Sequence, residues 1–583
     1  MMNIKNIAYR GLAYYGNTVY RVASALRAGN LREMTKRYPG SFITPPEQIR
    51  FETASKISYH LQHVIEEVSG KRMEIRDITR TVSDGIETGL FKIYGERIFI
   101  NHLRVGELLG HLGLPAEKEK DFRREATKHY LTLEYIQSDQ ASGYFGSNTR
   151  VVDGRTYYER AYTVLTRDGK TLNLTRIINQ DKVEVNDNRP SVLLMPGIAC
   201  NHKSFDLEDA NSYALRLADN GNWTYLFDPR GLGKNKGEFD PRCFFDTLVT
   251  NEGPASLEFI YGRPNPKKPV IVIGHSMGGL IAEFVLIRQA YKLNLYCEKV
   301  AKMMGDSQFQ PRGKTRGELE AYLDQTEAKL KGRKADAEIQ IQIAEARTHL
   351  ERLKAYKGLI TLGSPKIFDK NSHPIFPALL MLNILLPILR EEEVPVDKLR
   401  WLLKYLPSAS RIATALIDTK NFSDPTAFLS QFIEKGTESF PLGVGFQLLK
   451  AIYSGKGIRR MDDTHFNYSS HLHEIPPDIP IFHLIGEADT LAPDYNLAFI
   501  NHQYYRGRDL DFSTFKPYSH ANQSIRRISR HSDPSQFPLE AIRSQVQGIV
   551  VPTGHLDFLY GEAGEKIVRP LLDRIIQAIW QAK

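Results

Sequence analysis

Five consecutive residues, Gly274-His275-Ser276-Met277-Gly278, have the G-x-S-x-G spacing that can present a serine hydroxyl for nucleophilic attack. The apolar run Val270–Ile273 before them reads as a strand, and Leu280–Ile287 after them as a helix. A hydroxyl held at the tip of so sharp a turn needs a strained backbone at Ser276, and side chains two positions to either side would collide. Gly274 and Gly278 answer that need. The alternative is a turn with a purely structural role. The helix N-terminus beside the serine favours developing negative charge.

A serine needs a base, and the base needs a carboxylate to orient it. His555 follows the run Ile549–Val551 by way of Pro552, in the last loop between a strand and a helix, and is the candidate base. His275, His465, His471, His473, His483 and His502 are the alternatives. Asp489 lies in the turn after the run Ile481–Ile485 and is the candidate acid, with Glu487 and Asp494 as rivals. Asp557 is expected to point elsewhere, toward backbone or solvent. Oxyanion stabilisation calls for two backbone N–H donors. Met277 supplies one; the other comes from the loop after Val192–Met195, where Pro196-Gly197 turns the chain, with Ile198 preferred over Ala199. Cys200, close by, has no activating partner and reads as a buried small residue.

These groups need a scaffold. Tyr162–Thr166 and Leu172–Ile177 flank the hairpin turn Asp168-Gly169. Six short, continuous apolar runs follow: Val192–Met195, Thr224–Phe227, Val270–Ile273, Gly358–Leu362, Ile481–Ile485 and Ile549–Val551. Strands covered by helices on both faces read this way, so a mostly parallel, doubly wound α/β sheet of eight strands is expected. The core is assigned to residues 151–365 and 475–583. Two stretches interrupt it. Residues 312–357 are charged with helical periodicity and read as a hairpin projecting into solvent, with a turn near Gly332. Residues 366–474 are apolar and punctuated by proline, as in Ile375–Leu389 and Trp401–Leu406, and are expected to form a helical lid or cap. Residues 1–150 read as an added helical region without strong strand runs.

Taken together, these residues resemble the α/β-hydrolase superfamily, and within it the acid-lipase-like branch. The branch's E-x-x-x-V-x-T-x-D-G-x-x-L-x-L-x-R-I hairpin is matched by Glu159–Ile177, offset by one residue at its start. Its closing G-H-L-D-F-x-x-G is matched by Gly554-His555-Leu556-Asp557-Phe558 and Gly561, and the superfamily's D-x-R-G-x-G turn by Asp228–Gly233. The resemblance covers about residues 157–300 and 358–583, and it implies that Ser276, Asp489 and His555 form a triad for hydrolysis of carboxylic esters. There are departures. Pro196-Gly197 stands where the branch has His-Gly, and no secretory signal of the digestive and lysosomal lipases is present. Chemistry therefore carries over better than substrate. A lid rich in Leu, Ile and Phe points to lipid or other hydrophobic acyl esters. An acyltransferase with a non-water acceptor is the alternative, and a non-catalytic membrane-associated scaffold stands third.

The formal charge of +9 over 583 residues, with no supporting motif, gives no case for a nucleic-acid partner. Three cysteines exclude a disulfide scaffold and a cysteine-based zinc module, and no cofactor or metal is called for. No segment reads as a membrane span. Residues 1–32 carry five basic and no acidic side chains among apolar ones. They read as a helix packed on its own domain, with peripheral contact at a membrane surface as the alternative. A cytoplasmic location is expected; the oligomeric state is left open.

Overall fold

The computed structural model describes residues 46–87, 90–94, 97–101, 104–129, 131–134, 148–166, 168–182, 191–240, 243–262, 268–330, 337–368, 393–394, 396, 416–454, 457–461, 466–497, 499–500, 525–536 and 546–582. The segment 1–32, the run Ile375–Leu389, the run Trp401–Leu406 and the turn near Gly332 lie outside them. Two compact units divide the chain, one falling within Tyr20–Tyr144 plus Val164–Thr171, the other taking the rest.

In the smaller unit, helix α1 (Pro46–Ser69) buries Ala54, Ile57, Leu61, Val64 and Ile65, spaced three and four apart. They share a core with Ile78 and Val82 of α2 (Ile75–Glu87). Three short strands follow in this unit: β1 (Phe91–Tyr94), β2 (Arg97–Asn101) and β3 (Leu131–Glu134), with α3 (Val105–His111) and α4 (Glu119–Lys128) between the last two. β1 pairs antiparallel and β3 parallel with β2, so this region, read as helical without strong strand runs, also holds a small sheet. Strands of four or five residues with interleaved Lys92 and Arg97 carry too short a period to stand out from helix.

The larger sheet has ten strands rather than eight. They are β4 (Asn148–Val152), β5 (Arg155–Leu165), β6 (Thr171–Asn179), β7 (Ser191–Met195), β8 (Thr224–Phe227), β9 (Val270–His275), β10 (Tyr356–Leu362), β13 (Ile481–Gly486), β14 (Ile525–Arg527) and β15 (Val546–Val551). A separate two-stranded ribbon joins β11 (Glu393–Val394) and β12 (Phe440–Pro441). The order is β14-β15-β13-β10-β9-β7-β8-β6-β5-β4. From β14 to β8 the pairing is parallel throughout; β6 runs antiparallel to β8. The two extra strands are edges, three and five residues long and rich in Arg and polar side chains, so they lack the apolar run that marks a covered strand.

β7, β9, β13 and β15 are buried along their whole length. Alternate residues Val192, Leu194, Ile271, Ile273, Ile360 and Leu362 pack with α5 (Tyr213–Asp219) and with Leu571, Leu572 and Ile575 of the C-terminal helix Arg569–Gln581. Helices α6 (Gly253–Gly262) and α7 (Met277–Met303) contact β9 on the sheet's other side, and the Tyr356 hydroxyl of β10 donates to Ala282 O of α7 at 3.0 Å.

The pair α8 (Arg316–Leu330) and α9 (Ala337–Lys354) does not project into solvent as expected. Leu319, Leu323, Ile339, Ile343, Ala346 and Leu350 are buried, and α9 packs along α7, where Gln289 Oε1 lies 2.7 Å from His349 Nδ1. The charges of this pair occupy one face, and the sparse apolar residues form the other. Among the described residues of 366–474, α10 (Pro425–Gly436) and α11 (Leu442–Ser454) are the longest elements. No helix among the described residues is long and apolar enough to cross a membrane.

Candidate active site

Strand order reverses between β7 and β9, and side chains at such a switch point face a crevice beyond the strands' carboxyl ends. Ser276 stands there, at the end of β9, with φ +50° and ψ −117°, between the strand and the first turn of α7. A non-glycine residue in that region stores about 1–3 kcal/mol of strain. The turn is held by Ser276 N–H donating to Leu362 O (2.8 Å) and by the Ser364 hydroxyl donating to Ser276 O (2.9 Å). The turn leaves no room for a side chain at either glycine. A Cβ on Gly274 would lie 2.5 Å from the carbonyl carbon of Gly278, and one on Gly278 would lie 2.5 Å from Pro196 O.

His555 Nε2 lies 3.0 Å from Ser276 Oγ, and His555 Nδ1 lies 2.8 Å from Asp489 Oδ2. Asp489 Oδ1 accepts from the N–H groups of Leu491 (2.9 Å) and Ala492 (2.8 Å), so both oxygens of this buried carboxylate face partners. Because Nδ1 faces the carboxylate, it carries the imidazole proton, and Nε2 is left free to accept from the serine. The rivals stand elsewhere. Glu487 is exposed, and Asp494 pairs with Arg527. His483 sits inside β13 on Thr361 Oγ1 (2.7 Å), and His471 and His473 adjoin Glu474. His465 and His502 lie outside the described residues.

Several supports were not legible in the sequence. Buried His275 is held neutral, its pKa pushed down to about 3 chiefly by burial, and its Nε2–H donates to His555 O at 2.7 Å. Gly363, at φ +57°, leaves room for the pair: a Cβ there would stand 3.0 Å from Asp489 Oδ2 and 3.2 Å from His555 Nδ1. Asp557 does not face solvent. It is buried, accepting from Gly554 N–H (2.7 Å) and Asn421 Nδ2 (2.7 Å), and its pKa is raised to about 6 by burial. Leu416 O accepts from the N–H groups of both His555 (2.8 Å) and Leu556 (2.9 Å), so the histidine loop is fastened to the 366–474 insertion.

The loop after β7 is fastened to the same insertion. Asn201 N–H donates to Gly436 O (3.0 Å), and Glu438 N–H donates to Ala199 O (2.8 Å). Ala199 has φ +57°, whereas Ile198, with Met277, lines the cavity at the serine. Gly197 lets this loop approach the elbow: a Cβ on it would meet Ser276 Cβ at 3.3 Å. Cys200 is buried, and its thiol pKa is pushed up to about 12 by desolvation, which leaves it inert as a nucleophile. The Asp228 carboxylate organises the neighbouring turn, accepting from His202 N–H (2.7 Å) and Lys234 N–H (3.0 Å), while Arg230 pairs with Glu252 at 2.8 Å, both fully buried.

A cavity of about 110 Å³ opens at Ser276. Apart from Ser276 and His555 its wall is apolar, with Leu280, Phe368 and Leu491 on one hand and Phe440, Leu448, Leu449 and Ile452 of the insertion on the other. Gly445 of α11 also faces it.

Residues 188–296 match the family model described as "Serine aminopeptidase, S33". No curated protein matches the chain. Among solved structures, a soluble variant of monoglyceride lipase from Saccharomyces cerevisiae is similar at 14% identity over 74% of this chain and 94% of its own, with a TM-score of 0.33. The monoacylglycerol lipase of Paleococcus ferrophilus is similar at 12% identity over 71% of this chain and 99% of its own, with a TM-score of 0.34. Likenesses this distant bear on no residue's role. The family match spans β7 through the elbow and into α7, and with the parallel sheet and its reversal at the serine it supports an α/β-hydrolase fold.

Proposed function

We propose that the protein is a serine hydrolase that cleaves carboxylic esters with hydrophobic acyl groups through an acyl-enzyme. The observation that carries this reading is the chain of contacts Ser276 Oγ, His555 Nε2, His555 Nδ1, Asp489 Oδ2 at 3.0 and 2.8 Å, at the mouth of an apolar cavity. His555 takes the proton of Ser276 as Oγ forms its bond to the ester carbonyl carbon. The amides of Met277 and Ile198 hold the resulting oxyanion. Asp489 keeps the imidazole in the tautomer that can accept, and stabilises the imidazolium that forms. His555 returns the proton to the departing alcohol as the carbon–oxygen bond breaks, leaving the acyl group on Ser276. Water, deprotonated by His555, then attacks the acyl carbon and frees the acid.

The apolar wall supports hydrophobic acyl groups, since each buried methylene contributes about 0.8 kcal/mol. Hydrolysis of p-nitrophenyl esters from acetyl to palmitoyl tests the reading, with Ser276→Ala as control. A preference rising beyond acetyl, with turnover falling about 10⁴–10⁶-fold in Ser276→Ala, supports it. Activity retained in Ser276→Ala refutes the mechanism. A sharp preference for acetyl refutes the acyl-chain assignment alone.

A further inference from the structure

We propose that His471, His473 and Glu474 form a binding site for a divalent transition-metal cation of the zinc type, remote from the serine along α7. The three residues follow one another through a short 3₁₀ turn, Leu472–Glu474. Glu474 Oε1 stands 3.7 Å from His471 Nδ1 and 3.5 Å from His473 Nε2, and one donor atom from each residue lies within 4.8 Å of the others. A tetrahedral cation with bonds of about 2.0–2.1 Å to nitrogen and oxygen separates its ligands by about 3.3–3.4 Å, so two of the three edges are already within a few tenths of an ångström. Two imidazoles and one carboxylate are a donor set suited to zinc rather than to calcium or magnesium.

A second feature points the same way. His471 Nδ1 is a buried ring nitrogen with no hydrogen-bond partner, and it faces the carboxylate at a distance too long for a hydrogen bond. An orphaned buried nitrogen is costly unless something completes it, and a cation between it and Glu474 would do so. The ring is fixed in that pose by Phe466, stacked at 4.5 Å between centroids, and by the edge of Tyr291 at 5.1 Å.

Glu474 is buried and is held by an outer shell. Asn294 Nδ2 donates to Oε2 (2.9 Å), and Arg312 Nε lies 3.0 Å from Oε1 and 3.1 Å from Oε2. Such contacts orient a ligating carboxylate, and a carboxylate oxygen with one donor keeps a second lone pair for a metal. Arg312 turns in addition to Glu298 of α7 at 2.8 Å, which draws part of its charge away from the site. Both imidazoles are about one-fifth exposed, leaving a side open for water as a fourth ligand. Because Glu474 is bonded to α7 through Asn294, a bound cation would pin the end of the 366–474 insertion to that helix.

The test uses the full-length protein, stripped with EDTA and exchanged into chelator-free buffer. Zinc chloride is titrated in, with bound metal counted by inductively coupled plasma mass spectrometry and stability followed by thermal melting. One equivalent is expected, with a saturable rise in Tm of about 2–5 °C. His473→Ala and His471→Gln should each lose the equivalent and the rise, while the stripped His473→Ala protein melts with the stripped wild type. A rise that survives in both variants, or no bound equivalent in the wild type, overturns the proposal and leaves a polar cluster organised by Arg312. Neither result depends on esterase activity, so the site stands or falls separately from the serine mechanism.

Discussion

Asp489→Asn separates the role of the carboxylate from its place in the fold. In the wild type Oδ1 accepts two backbone N–H groups, from Leu491 and Ala492, and Oδ2 faces His555 Nδ1. Asparagine can keep the first set by placing its oxygen at Oδ1. Its amide N–H₂ then faces Nδ1, which must become an acceptor, and the imidazole proton moves to Nε2. A protonated Nε2 cannot take the serine's proton across the 3.0 Å contact. The loss is that of the base itself, and the comparable change in a serine protease triad costs about 10⁴ in kcat, or about 5.5 kcal/mol of transition-state stabilisation. Folding stability should move by less than about 1 kcal/mol. Asp489→Ala instead strands two buried N–H groups at about 1–3 kcal/mol each, so it should lower both activity and stability. Initial rates on a p-nitrophenyl ester, paired with chemical denaturation of each variant, check this. An Asp489→Asn enzyme within tenfold of wild type would refute the assignment of tautomer control to Asp489. An Asp489→Asn protein as unstable as Asp489→Ala would refute the division of labour between the two oxygens.

Gly445→Leu fills the cavity wall and should cost long-chain esters about fourfold in kcat/KM per excluded methylene while sparing acetyl esters, as read from the chain-length series. Asp557 has a folded-state pKa of about 6, above its ordinary value, so it stabilises the fold when protonated and that contribution is lost as pH rises from about 4 to 6. Denaturation of wild type and Asp557→Asn across pH 4–7 should show the wild type losing up to about 3 kcal/mol relative to the variant. Lys366 and Glu283 form a fully buried ion pair, with His483 Nε2 3.6 Å from Glu283 Oε1. Lys366→Met should cost about 3–5 kcal/mol in a denaturation curve by leaving Glu283 without its charge partner, and adding Glu283→Leu should recover much of the loss.

The parts that could be read from the sequence share one property: their signal is local. β9 is four apolar residues and then the elbow, and Gly274 and Gly278 are dictated by contacts made within a few residues of Ser276 or with the adjacent loop. β7, β13 and β15 are covered on both faces, so apolar residues dominate them, His483 and Gln547 apart, and the run is visible. What stayed hidden depends on partners distant in the chain. Nothing beside Gly363 indicates that a histidine and an aspartate more than a hundred residues onward will press against it. His275 could be noticed, but its bond to His555 O requires the fold. The burial of Asp557 depends on Asn421, from the insertion. Among the described residues the edge strand β14 pairs with β15 alone, and its two arginines, Arg527 paired with Asp494, supply no apolar run. The apolar face of α9 is thin enough to pass for a solvated helix until α7 is laid against it.

The backbone bonds from Leu416, Gly436 and Glu438 set a limit on how the cavity can admit a molecule. They clamp the loops on either side of Ser276, so the described residues of the insertion brace the walls of the site. Trimming the insertion at those points would dismantle the reactive arrangement instead of unveiling it. Any route to the serine that preserves the reactive arrangement leaves these three posts in place.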